Sequence, residues 1–328
     1  MPKSSADAPN GILLVDKPAG LTSHDVVART RKKADFRRVG HAGTLDPMAT
    51  GLLILGLGSS TRLLTYIVGL DKEYVATIRL GTSTTTDDAD GESLGPASAA
   101  QVERVTDDAI LAGIATLTGD IEQVPSSVSA IKVDGRRAYA LVRAGHEVQL
   151  KARAVTVSEF DILGVTHTSD TENHAVIDVE VRVVCSSGTY IRALARDLGF
   201  KLGVGGHLTA LRRTRIGGFR VTDALTIDEV AAPPLLLGPA EVARRVFPAV
   251  ELTLDDAMDL SHGKKIQVSG HHDSPGPVAA IGPEDRLVGL IAVKAGVSRV
   301  ILNFPAYAPV EPSDVPSDEP SPPEIAAS

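Results

Sequence analysis

The stretch Arg38-Val39-Gly40-His41-Ala42-Gly43-Thr44-Leu45-Asp46-Pro47-Met48-Ala49-Thr50-Gly51 contains three glycines and an Asp-Pro pair. A residue before proline is pushed out of the α region, so Asp46 should lie on an extended or turn backbone. An apolar run from Leu52 to Leu57 follows, as in a buried strand. The pattern predicts a strained loop that presents His41 and Asp46 in front of that strand. Loops on rigid scaffolds often carry chemistry, although an aspartate in such a turn is more often a cap.

The segment from Gly40 to Gly51 resembles the catalytic motif of the TruB family of pseudouridine synthases, which act on uridine 55 of tRNA. The resemblance implies that Asp46 is the catalytic nucleophile, because Asp46 matches the aspartate of that motif. It spans roughly residues 10 to 220 and rests on four separate motifs that occur in the family's order.

The other motifs imply further site residues. Val15-Asp16-Lys17-Pro18 is similar to a motif that packs beside the catalytic loop, which places Lys17 at the substrate site. Asp71-Lys72-Glu73-Tyr74 resembles the segment whose tyrosine stacks on the target uracil. Gly188-Thr189-Tyr190-Ile191-Arg192 resembles the motif whose tyrosine lines the pocket and whose arginine pairs with the catalytic aspartate. Leu211 matches an apolar residue that contacts the uracil.

The position of Arg192 can also be argued from periodicity. Ala175–Cys185 alternates between apolar and polar residues like a half-buried strand, and apolar residues recur at helical spacing from Ile191 to Leu198. Arg192 therefore lies in the first turn of a helix, where the helix dipole disfavours a cation. We expect a carboxylate partner for it, and Asp46 is the candidate.

Composition limits the class of protein. A chain of 328 residues with 43% hydrophobic residues suggests about two domains with a sizeable core. The single cysteine, Cys185, excludes an intrachain disulfide and a cysteine-based metal site. Met1–Asn10 is polar, and no apolar run approaches the roughly 18 residues of a membrane-spanning helix. We expect a soluble cytoplasmic protein.

The formal net charge of −8 is unevenly distributed. Val310–Ser328 contains five acidic residues and no basic residue. Three basic clusters elsewhere, one of them next to the Asp46 loop, favour a polyanionic partner, although any single cluster is more often a solvated face. The clusters are Arg29, Arg31, Lys32, Lys33, Arg37 and Arg38; Lys132, Arg136, Arg137, Arg143, Lys151 and Arg153; and Arg212, Arg213, Arg215 and Arg220.

The predicted fold class is α+β. The resemblance implies the pseudouridine synthase fold, with a mixed and mostly antiparallel sheet flanked by helices. The catalytic domain is expected over residues 1–246, with a thumb-like insertion at about 123–155 that grips an RNA stem-loop. Short apolar runs between turns predict a small β-rich domain over 247–308, which resembles a reduced PUA-like RNA-binding module. Residues 309–328 form an acidic, Pro- and Ser-rich tail that is expected to be disordered.

The function implied is isomerisation of a uridine in the T-loop of tRNA by base flipping and attack by Asp46. The carboxylate could attack C1′ of the sugar or C6 of the base, or deprotonate C2′ on a glycal route. His41 is expected to support base flipping and not to carry a proton. No metal or organic cofactor, no membrane and no obligate protein partner are expected, and the T-arm stem-loop should be bound by a monomer. The alternatives are a pseudouridine synthase for another RNA and a non-catalytic RNA-folding module.

Overall fold

The structure is a computed structural model. It describes residues 9–126, 150–268, 270, 273–274 and 276–304, together with the backbone of 132–133 and 136–137. Two compact units are present, one formed by Pro9–Ala249 and one that begins at Val250. Each unit is described by itself below.

The described strands of the first unit range from two to 17 residues in length. They are β1 (Gly11–Lys17), β2 (Val39–Ala42), β3 (Thr50–Leu57), β4 (Lys72–Leu80), β5 (Thr82–Thr84), β6 (Ser93–Pro96), β7 (Gly119–Gln123), β8 (Lys132–Val133), β9 (Arg136–Arg137), β10 (Arg153–Ser169), β11 (Ala175–Cys185), β12 (Gly206–Ile216), β13 (Phe219–Arg220) and β14 (Leu225–Thr226).

Ten of these strands form one mixed sheet with the order β14-β1-β3-β12-β4-β11-β10-β7, in which β2 pairs with β3 and β13 with β12. The β1–β14 and β3–β12 pairs are parallel, and the other pairs are antiparallel. β4 and β11 lie inside the sheet and alternate buried with more exposed residues, as the sequence predicts for β11. The predicted fold class is confirmed.

Six helices are present in the described part of the first unit. They are α1 (Ser23–Ala34), α2 (Leu64–Val68), α3 (Ala99–Val102), α4 (Asp107–Ala115), α5 (Ile191–Leu202) and α6 (Pro239–Val246), with 3-10 turns at Gly58–Arg62 and Val221–Asp223.

Helix α1 begins where its sequence predicts. The Thr22 side chain accepts a hydrogen bond from the Asp25 amide, and the Asp25 carboxylate accepts one from the Thr22 amide, which completes a capping box. Helix α5 follows β11 directly and buries Ile191, Leu194 and Leu198 against the central strands. The strand-to-helix turn predicted before Arg192 is therefore confirmed.

The second unit is built on a four-stranded sheet with the order β15-β16-β17-β18. Its core consists of apolar residues of β16, β17 and the helix that precedes them. The elements are β15 (Ala249–Glu251), α7 (Leu254–Ser261), β16 (Val278–Gly282), β17 (Arg286–Lys294) and β18 (Val297–Asn303), with a 3-10 turn at Pro283–Asp285.

Two predicted features lie outside the described residues. These are the acidic tail over 309–328 and most of the thumb-like insertion, including the basic helix expected near residues 138–143.

Candidate active site

A pocket of about 280 Å³ opens between the Asp46 loop, the ends of β4 and β12, and the turn into α5. It brings together five of the predicted site residues: Asp46, Tyr74, Tyr190, Arg192 and Leu211. Its other lining residues are Gly43, Thr44, Leu45, Val68, Lys72, Ser187, Gly188, Thr189, Ile191 and Arg213.

The backbone on both sides of Asp46 is fixed by buried polar side chains. The Ser23 hydroxyl donates to Leu45 O over 3.1 Å and accepts from the Leu45 amide over 2.8 Å. The Lys17 ammonium donates to Pro47 O over 3.3 Å and to two further carbonyls, those of Pro18 and Leu21. Because both neighbours of Asp46 are held, the backbone from which its carboxylate projects is fixed.

The end of the loop is fixed by a close backbone contact between β3 and β12. Gly51 has a φ of 101°, and a Cβ at this position would lie 2.2 Å from Arg213 O. Only glycine permits this approach. The contact places the buried Arg213 side chain beneath the loop, where its guanidinium donates to Leu52 O over 2.8 Å and to Gly43 O over 3.1 Å.

Arg192 pairs with Asp46, as its helical position predicts. Its Nε lies 2.9 Å from Asp46 Oδ2, and its Nη1 lies 3.3 Å from Asp88 Oδ2 and 2.9 Å from Thr86 O. The side chains of Arg192 and Asp88 are only 5% and 6% exposed, whereas that of Asp46 is 35% exposed. Asp46 is thus the member of this group that faces the pocket, and Asp88 holds the far side of the guanidinium.

The electrostatic setting of Asp46 combines opposing effects. Burial raises the pKa of Asp46 above its ordinary value, the Arg192 guanidinium lowers it, and the Asp88 carboxylate raises it again. The ion pair therefore favours the carboxylate form against the cost of burial.

The aromatic walls are supported from behind. Gln123 uses its side-chain amide like a strand partner, accepting from Tyr190 N over 2.8 Å and donating to Tyr190 O over 3.0 Å. Tyr74 is 7% exposed at the start of β4, and Leu211, also 7% exposed, lies across from Ala76 on β12. Burial raises the pKa of the Tyr74 hydroxyl, while the nearby Arg213 guanidinium lowers it.

Two predicted site residues do not line the pocket. Lys17 is fully buried behind the loop, so it contacts the loop backbone and not the pocket space. His41 lies on β2 opposite Leu55, and its ring meets that of His24 edge to face at 5.4 Å. The prediction that His41 lies on the loop was wrong, because Gly40 and Ala42 pair with β3 and the loop begins only at Gly43.

Three charged residues of the site were not predicted. Asp88 lies in the polar loop between β5 and β6, Lys72 stands in a motif that points only to its tyrosine, and Arg213 falls in a basic cluster of the sequence. Arg213 is instead 1% exposed, since alternation along β12 turns it away from the side on which Arg212 pairs with Asp16. The sequence pattern that indicates this burial is the spacing of Arg213 two residues after Leu211, which puts both side chains on the same face of β12.

The first basic cluster lies on the surface at the C-terminal end of α1. Arg29, Arg31, Lys32, Arg37 and Arg38 are exposed there and in the turn that leads to β2. These side chains form a positive surface, as a polyanionic ligand requires.

Comparison with known sequences agrees with this geometry. The family model described as "TruB family pseudouridylate synthase (N terminal domain)" matches residues 31–191. A protein of Leifsonia xyli subsp. xyli named tRNA pseudouridine synthase B is 59% identical over 298 residues, which cover 90% of this chain and 97% of the relative. The chain belongs to the TruB family of pseudouridine synthases.

Further matches cover the rest of this TruB-family chain. Models described as "tRNA pseudouridylate synthase B C-terminal domain" and "tRNA Pseudouridine synthase II, C terminal" match residues 192–240 and 247–305. The Mycobacterium leprae protein named tRNA pseudouridine synthase B is 52% identical over 282 residues, which cover 86% of each chain.

Solved structures share the fold. A chain in a crystal structure of a Cbf5-Nop10-Gar1 complex superimposes with a TM-score of 0.66 and 25% identity, over 90% of this chain and 84% of that one. A chain from an H/ACA RNP bound to a substrate RNA containing 2′-deoxyuridine gives a TM-score of 0.66 at 24% identity, over 90% and 85% of the two chains. Among the described residues, no helix is long and apolar enough to cross a membrane, and no three potential metal ligands cluster.

Proposed function

We propose that this enzyme isomerises uridine 55 in the T-loop of tRNA to pseudouridine, with Asp46 as the nucleophile. The single observation that carries the proposal is the Asp46 carboxylate, which faces the pocket while a buried arginine holds it at 2.9 Å. The relatives named tRNA pseudouridine synthase B, at 59% and 52% identity, support tRNA as the substrate.

The chemistry requires a group that can react with the nucleotide while its base is detached and turned. The N1–C1′ bond must break, the uracil must rotate, and a C5–C1′ bond must form, with no net gain or loss of atoms. A carboxylate kept ionised by Arg192 can attack C1′ or C6, or take the C2′ proton. The three routes share the same requirement for an aimed Asp46.

The remaining pocket residues suit a flipped base. A uridine inside a folded loop must be extruded before it can enter a pocket of this size. The Tyr74 ring offers a stacking face, an interaction worth about 1–3 kcal/mol per base, and Tyr190 and Leu211 complete the walls. Lys17 acts on this site by holding Pro47 O. His41, which lies on β2 beside the loop, would support the RNA from which the base is removed.

The domain roles follow the same reasoning. We assign catalysis to residues 1–246, gripping of the T-arm to the insertion at about 123–155, and additional RNA binding to the PUA-like unit over 247–308. The enzyme is proposed to act as a monomer without a protein partner or a cofactor.

The experiment is incubation of the enzyme with an unmodified tRNA transcript, followed by mapping of pseudouridine at nucleotide resolution. We expect modification at the T-loop uridine alone. A ribosomal RNA fragment that contains uridines in stem-loops serves as the matched control. Modification of the control with an untouched T-loop would contradict the proposed substrate.

A further inference from the structure

Two cations lie inside the pocket wall with no carboxylate within ion-pair distance in the described part of the chain. Lys72 is 6% exposed and Arg213 is 1% exposed, and both line the pocket that contains Asp46. A Cβ added to Gly43 would lie 3.6 Å from Arg213 Nη1 and 3.8 Å from Lys72 Cε, so the two side chains flank the same point of the loop.

Their hydrogen bonds go to neutral groups, which are backbone carbonyls and, for Arg213, also the Tyr74 hydroxyl. The Lys72 ammonium donates to Val68 O over 2.9 Å and to Leu70 O over 2.6 Å. Arg213 donates to the carbonyls of Leu52, Gly43 and Thr44. Within the described part of the chain, no carboxylate oxygen lies within 4.0 Å of either cation, and the third ammonium hydrogen of Lys72 has no acceptor.

Such an arrangement is unfavourable for folding alone. Buried cations are normally paired, because removing a charge from water is costly, and these two also repel each other. Burial and, after it, the Arg213 guanidinium lower the pKa of Lys72 to about 8, against the opposing effect of the Asp71 carboxylate. Uncompensated charge at a pocket wall is typical of a functional site that receives the opposite charge from its ligand.

We propose that the Lys72 ammonium, reinforced by the Arg213 guanidinium, stabilises the uracil anion that forms when the glycosidic bond breaks. The inference rests on the proposed function. When the N1–C1′ bond breaks, its electron pair stays on N1, and the negative charge spreads to O2 and O4 of the base. C1′ is taken by the Asp46 carboxylate, or C2′ loses a proton to it.

The charge disappears again in the second half of the reaction. C5 bonds to C1′, and the Asp46 carboxylate is either displaced from C1′ or formed again as the Asp46 carboxyl group returns its proton to C2′. C5 then loses its proton, and N1 takes one up. The third Lys72 hydrogen therefore has an acceptor of full negative charge only while the base is detached. Interactions that are stronger at that stage than with bound uridine accelerate the reaction.

The test compares two leaving groups in single turnover. T-arm stem-loops carry either uridine or 5-fluorouridine at the target position, and loss of that nucleoside is followed in nuclease digests. Fluorine stabilises negative charge on the ring, so a 5-fluorouracil anion needs less help. Lys72→Met should slow uridine consumption by about 10²-fold and 5-fluorouridine consumption by at least tenfold less. The exposed Lys201→Met is the matched control and should leave both rates unchanged.

The pH profile provides a second measurement, which does not depend on the folding of Lys72→Met. The wild-type rate should fall as the pH rises through about 8, where Lys72 loses its proton. The other titratable and charged groups near Lys72 are Cys185, Tyr74, Arg213 and Asp71. Burial raises the pKa of Cys185 to about 11 and also raises the pKa of Tyr74, so neither group loses its proton near pH 8. The pKa of Lys17 is also about 8, so the wild-type profile alone does not tell the two lysines apart. The variant Lys72→Arg does, because it keeps a cation at position 72, and it should remove the fall in rate.

Equal slowing of both substrates by Lys72→Met would overturn the inference, as would a fall in rate that persists unchanged in Lys72→Arg. Failure of the proposed function looks different, because the wild-type enzyme would then leave the uridine stem-loop unmodified.

Discussion

Arg192 and Asp46 form a pair whose members depend on each other. Removing the guanidinium leaves burial and Asp88 to act on Asp46, and both raise its pKa. Since the reaction needs the carboxylate form, Arg192→Met should shift the acid limb of the pH–rate profile to higher pH. Single-turnover rates between pH 5 and 8 would measure the shift, and an unchanged acid limb would contradict the pairing.

Two variants control for the geometry of that pair. Arg192→Lys restores the charge but not the planar fork that reaches both Asp46 and Asp88, so it should recover only part of the rate. Arg192→Met should destabilise the fold by about 3 kcal/mol, because it strands the buried Asp88 charge. In the double variant of Arg192→Met and Asp46→Asn, the loss of unfolding free energy, measured in urea, should be clearly smaller than the sum of the two single losses. Additive losses would indicate two independent sites.

Some residues of the site could be predicted from the sequence, and others could not. The positions of Tyr74 and Arg192 at the pocket could be predicted because the motif resemblance covered both residues, and for Arg192 the local periodicity agreed with it. Asp88, Lys72 and Arg213 could not, because an isolated charged residue in a loop or a strand gives no sign that a distant chain segment will bury it. Their burial depends on contacts such as that of Arg213 with Gly43, which joins residues 170 positions apart.

At the scale of elements, the catalytic loop depends on the contact between β3 and β12. Gly51→Ala would place a methyl group 2.2 Å from Arg213 O on a backbone with a φ of 101°. We expect a loss of about 3 kcal/mol in unfolding free energy, together with reduced activity. Gly218→Ala is the matched control, because a Cβ there has no atom within 4 Å, and it should change stability by less than about 0.5 kcal/mol.

The elements themselves were largely predictable. Alternation in β4 and β11, the capping box of α1 and the helical spacing in α5 all appear where local patterns indicate them. The order of the strands was not accessible, since β12 inserts between β3 and β4 through pairings that no local pattern encodes. β2 could not be predicted either, because glycines flank His41 and no local pattern indicates a strand there. Pairing with β3 stabilises it.

For the whole molecule, the distribution of charge matters more than the net value of −8. Arg37 and Arg38 are exposed in the turn that precedes β2, so replacing both with Ala should weaken tRNA binding. The slope of log Kd against log salt concentration should fall by up to the amount expected for about two phosphate contacts. The exposed Arg104→Ala serves as the control. Filter binding across 50–300 mM KCl would measure both, and equal slopes in all three proteins would exclude the cluster from the RNA interface.

The most direct test of the central claim is the turnover of Asp46→Asn on an unmodified tRNA transcript, measured beside its affinity for the same RNA. Asn keeps the size of the side chain and can still contact Arg192, but it cannot act as a carboxylate nucleophile or base. We predict that pseudouridine at the T-loop uridine falls below detection while Kd changes less than about threefold. Substantial pseudouridine formation by this variant would remove Asp46 from the reaction and contradict the account.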